Sequence, residues 1–141
     1  MTTATIETSI RSAIEARVAS LPMAGTYPVK WVDGPSYDPN ASVPYIRASF
    51  FPNATRRLFL NGSDPHQRLS LLQLDFMAPK TWTGVQATQV AGQIAQHFPA
   101  DLRMTFGDVT CRVTAAPHVS APMAGDVFMQ CAVMIGVETF A

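Results

Sequence analysis

The chain has 141 residues, ten basic and ten acidic, so its formal net charge is zero. That length suits one domain spanning 1–141, which buries about two-thirds of the unfolded chain's surface and requires no disulfide or metal staple. Zero net charge gives no electrostatic case for a dedicated nucleic-acid binder, and charged residues at 14% leave apolar surface for a partner.

The first element is a helix of about 15 residues within Met1–Ser20, with Thr3 or Thr5 as its cap. Ile6, Ile10, Ile14, Val18 and Leu21 recur at three- or four-residue spacing, and Pro22 stops it. Charges run through this segment, unlike a signal peptide, and no run approaches the roughly 18 apolar residues that span a membrane. A short strand is expected at Val29–Val32, then a Pro- and Gly-rich loop from Asp33 to Pro44. Tyr45 to Phe51 alternates as a strand, with Ile46, Ala48 and Phe50 on one face and Arg47 on the other.

Pro52 to Gln67 is the most irregular stretch. Its centre, Thr55 to Leu60, reads as a strand or a flexible arm, and Asn61-Gly62-Ser63-Asp64-Pro65 as a turn. Arg68 to Met77 is a strand with Leu72, Leu74 and Phe76 on one face and Gln73 and Asp75 on the other. Thr83 with Gln86 forms a capping-box pattern opening a second helix, whose stripe is Ala87, Val90, Ala91, Ile94 and Phe98. Strands follow at Leu102–Phe106, Val109–Ala115 and Val127–Phe140, with residues 116–126 as a loop. Every odd position from Val127 to Val137 is apolar, which puts the last strand in the middle of the sheet. The pattern predicts an α+β fold: a mostly antiparallel sheet with both helices packed on one face. The other face, carrying Arg47, Gln73, Asp75, Arg112 and Gln130, is solvated or covered by another molecule.

Chemistry is sparse. No phosphate-binding glycine loop or nucleophile elbow occurs, and His66, His97 and His118 are isolated, so no catalytic, metal or cofactor site is assigned. Asp64-Pro65-His66 comes nearest to an acid–base pair, and an ordinary turn accounts for it. Cys111 and Cys131 lie in apolar runs and are expected as buried free thiols of a reducing cytoplasm. The candidate residues are therefore for protein contact. They are Arg47 and Arg112 on the uncovered face, and Arg56, Arg57, Leu58 and Phe59 in the arm, where apolar anchors sit beside cations. An ordinary edge strand with solvated charges explains the arm about equally well.

The N-terminal helix Ile10-Arg11-Ser12-Ala13-Ile14-Glu15-Ala16-Arg17 leads to a short strand at Trp31. Pro44-Tyr45-Ile46-Arg47, Phe51-Pro52-Asn53-Ala54, Leu72 through Pro79, and a Gly84-led helix ending in His97-Phe98-Pro99 follow in order. This set resembles a group of bacteriophage proteins that look like tail terminators of long-tailed phages and of gene transfer agent particles. The resemblance covers nearly the whole chain and rests on packing and turn patterns. It implies a structural virion protein without enzymatic activity or cofactor, at the head-proximal end of the tail. Its protomers would close into a hexameric ring that caps the tail tube, stops polymerisation and joins the head–tail connector. DNA would pass through the lumen without sequence-specific binding, and no membrane is involved. The alternatives are a neck or head-completion protein, or an enzyme with a site at a subunit interface.

Overall fold

A computed structural model describes residues 4–60, 62 and 64–141. Helix α1 spans Ile6–Ala19, begun by Thr5, whose hydroxyl accepts from the Thr8 amide, and closed at Ser20 before Pro22 is reached. The alternative cap Thr3, and Asn61 and Ser63 of the predicted turn, lie outside the described residues. Strand β1 (Val29–Trp31) runs parallel to β2 (Tyr45–Arg56), and β2 pairs antiparallel with β3 (Gln67–Pro79). Helix α2 (Gly84–Gln96) opens with the predicted Thr83–Gln86 capping box. Strands β4 (Arg103–Phe106), β5 (Val109–Val113), β6 (His118–Val119), β7 (Met123–Ala124) and β8 (Phe128–Phe140) complete the chain.

The sheet order is β1-β2-β3-β8-β5-β4, with β6 and β7 also paired to β8. The last strand is central, as its odd-position pattern predicts. β3 lines one flank of β8 over all 13 of its residues, while β7, β6 and β5 divide the other flank between them. Two expectations are corrected here. Residues 116–126 are not simply a loop, since β6 and β7 dock on β8. And β2 continues five residues beyond Phe51, through Pro52 and Asn53, to Arg56. Proline is tolerated there because β1 pairs only with Ile46, Arg47 and Ala48, so Pro52 lies on an edge where no ladder bond is lost.

Both helices cover one face. Leu72, Leu74, Phe76 and Ala78 of β3 and Cys131, Val133, Ile135 and Val137 of β8 form one core with Ile10, Ile14, Val18, Ala87, Ala91, Ile94 and Phe98. Each fully buried aliphatic or aromatic side chain contributes about 1.5–3 kcal/mol. Helix α1 packs on β4 and β5, while its Arg11 stacks 4.3 Å from the Trp31 ring of β1 and bonds both oxygens of Asp33 at 2.8 Å. One helix thus touches both edge strands, which requires the sheet to curl around it.

The register of the β2–β3 hairpin slips once. Pro52 pairs with Ser70, but the next pair is Thr55 with Arg68, so β2 holds one extra residue in a bulge. Side-chain parity therefore inverts. Before the bulge odd residues of β2 face away from the helices, and after it Arg56, opposite Gln67, does so. Arg68 points the other way and donates to Glu7 Oε1 of α1 at 2.8 Å.

Candidate functional site

The helix-free face is built by alternation. Arg47, Ser49 and Phe51 of β2 lie opposite Asp75, Gln73 and Leu71 of β3, which lie opposite Ala132, Met134 and Gly136 of β8. At one end the face is closed by its own loop. Tyr37 packs edge-on against Tyr45, with ring centroids 5.2 Å apart, over the small cluster Tyr45, Met77 and Phe128. Burial pushes the Tyr45 phenol above its ordinary pKa.

Two carboxylates on this face are buried. Asp75 is 1% exposed, and its Oδ2 accepts from Arg47 Nε at 3.3 Å and Nη2 at 3.1 Å, while Gln73 Nε2 donates to Oδ1 at 2.8 Å. Glu138 Oε1 accepts from Arg112 Nε at 2.9 Å and from Nη2, and Gln67 Nε2 donates to Oε2 at 3.1 Å. Arg112 Nη1 also donates to Asp101. The Glu138 bond first, and then that to Asp101, holds the Arg112 guanidinium above its already high pKa. A buried charge is tolerated when it is paired and hydrogen-bonded, and both carboxylates meet that condition. Arg47 and Arg112 are thus engaged within the chain. Between the two ion clusters Phe51 and Met134 remain 49% and 39% exposed, and Phe140, beyond Glu138 on β8, is 54% exposed.

Beyond the bulge the hairpin projects. Arg57 curls back, donating from Nε to the Phe59 carbonyl at 3.0 Å and from Nη2 to that of Leu60. This brace fixes an apolar triplet in which Leu58, Phe59 and Leu60 are 45%, 55% and 97% exposed. The sequence singles out Leu58 and Phe59. Leu60, the third member of the apolar triplet beside the two cations, is more exposed than either. The structure brings Arg47, Arg112 and Arg56 onto one face and places Arg57, Leu58 and Phe59 on the tip.

Among the described residues no three His, Cys, Asp or Glu side chains are placed to hold a metal. His66 exchanges backbone bonds with Ala141 at 2.9 and 3.0 Å, continuing the β3–β8 ladder. Cys111 and Cys131 are free and buried, and burial raises both thiol pKa values. His97 joins the two helix ends. Its carbonyl accepts from Arg17 Nε and Nη2 at 3.0 and 2.7 Å, and its Nε2 lies 2.8 Å from Ser20 Oγ and 3.2 Å from the Arg17 carbonyl. Burial, with the Arg17 charge second, pushes the His97 pKa down.

The model of the family described as "Phage tail terminator protein" matches residues 9–136. The chain belongs to the phage tail terminator family. This tail terminator is accordingly a structural protein of the phage tail. A solved structure superposes on it with TM-score 0.72 and 27% identity, over 92% of each chain. A search of curated proteins gives no match. Among the described residues no helix is long and apolar enough to cross a membrane.

Proposed function

We propose that this protein closes into a homo-hexameric ring at the head-proximal end of the tail, where it caps the tube, stops its polymerisation and meets the head–tail connector. DNA passes through the lumen without base-specific contact, and the protein acts without enzymatic chemistry. The observation that carries this reading is the family match across 9–136. Two features support it. The helix-free face pairs its charges internally and exposes Phe51, Met134 and Phe140, which favours burial against protein over binding of a polyanion. A formal charge of zero also leaves little repulsion between copies.

Tail tube protein polymerised with and without this chain tests the reading by electron microscopy. With it, tubes should stop growing and carry added density at one end only. Tubes of unchanged length with bare ends refute the function. Cross-linking in particles separates this reading from a neck protein, because a terminator touches the tube protein directly.

A further inference from the structure

The hairpin carries two complementary features that do not meet within one copy. The first is a cavity of about 120 Å³ beside the bulge, lined by Ile10, Phe50, Pro52, Asn53 and Ala54, with Glu7 and Arg68 also at its wall. Partly open to solvent, it has room for a single leucine side chain against Ile10, Phe50 and Pro52. It opens beside the part of β2 that β1 leaves uncovered. Pro52 offers no amide and the bulge breaks the register, so a regular added strand finds a poor template here. A side chain is the better occupant. The second feature is the braced tip, where Leu60 is 97% exposed. Its backbone is already fixed by Arg57, so docking it loses little conformational entropy.

We infer that Leu60 of one copy fills the bulge cavity of the next. The contact rests on the ring reading and names its interface. Charge allows it: Arg56 and Arg57 precede the triplet, and at the cavity Arg68 is paired with Glu7, whose side chain remains 71% exposed. Leu60 is exposed in its own copy and takes no part in lining the cavity there, so each copy would donate one tip and receive another. Such a head-to-tail contact is the kind a ring requires of its protomer, the ring forming where the rotation between copies closes.

Disulfide trapping between two single variants, Leu60→Cys and Asn53→Cys, tests the contact. Mixed at high concentration or on tube tips under mild oxidation, they should give a disulfide-linked heterodimer, while each alone stays uncross-linked. Leu60→Cys cross-linking to itself would show tips meeting tips and overturn the inference. So would rings or capped tubes that form without the mixed disulfide, an outcome that leaves the terminator reading standing. Absence of rings, capped tubes and cross-links together refutes both. A Leu60→Asp variant should lose at least tenfold in self-association with its melting midpoint unchanged. Assembly at the wild-type level by that variant overturns the contact.

Discussion

Replacing Arg47 with Met removes both guanidinium bonds to Asp75, at 3.1 and 3.3 Å, and leaves a carboxylate that is 1% exposed with Gln73 as its remaining side-chain partner. Removing one partner of a fully buried pair costs about 3–5 kcal/mol. Two observations lower that figure. The Arg47 side chain is 40% exposed, so water reaches the vacated position. Both bonds are also longer than the 2.7–2.9 Å or so of strong charge-assisted ones. The expected loss is therefore about 2 kcal/mol, read as a shifted urea midpoint at unchanged slope. Adding Asp75→Asn to Arg47→Met removes the stranded charge, so the double variant should lose less than the sum of the singles, with a coupling of at least about 1 kcal/mol. Being refolded around a neutral pair, it should still cap tubes. An Arg47→Met loss below about 0.5 kcal/mol, or strict additivity of the two changes, would refute the picture of Asp75 as a buried charge held by Arg47.

Two further outcomes follow from particular contacts. His97 has its folded pKa below the ordinary value, so its contribution to stability is complete above about pH 6.5 and is lost as pH falls toward the folded pKa. His97→Gln should flatten that acid-side decline in thermal midpoint, and an unchanged pH profile would contradict the assignment. Gly125→Ala places a Cβ 2.8 Å from the Phe128 carbonyl oxygen at the entry to β8. It should cost about 1–3 kcal/mol in chemical denaturation, with a neutral effect ruling out the close approach.

Much of the fold was legible because burial follows period. The odd residues of β8, the even residues of β3 and the stripe of α2 all show their core faces in sequence. Local chemistry was legible too, as in Thr83 with Gln86. Pairing that depends on distant partners was not. Residues 116–126 hold Pro117, Pro122 and Gly125, which read as loop, and β6 and β7 exist only because β8 has a flank to offer them. Pro52 and Asn53 read as a strand end, yet β2 continues because β3 holds it from one side alone. Within the candidate surfaces, alternation put Arg47 and Asp75 on one face, but their pairing depends on the β2–β3 register. That Arg112 is held by Glu138 needs β5 beside β8, a neighbour that no local pattern reveals.

The bulge between Pro52 and Thr55 absorbs the single extra residue of β2, so the length of the strand is uncoupled from the facing of Arg56 at its far end. Deleting one residue there would restore the regular ladder and still leave Arg56 opposite Gln67, on the side away from the helices, because facing follows the partner on β3. A lineage could in this way gain or lose a residue at the base of the hairpin without changing which side of the molecule shows the charge or disturbing the buried sheet.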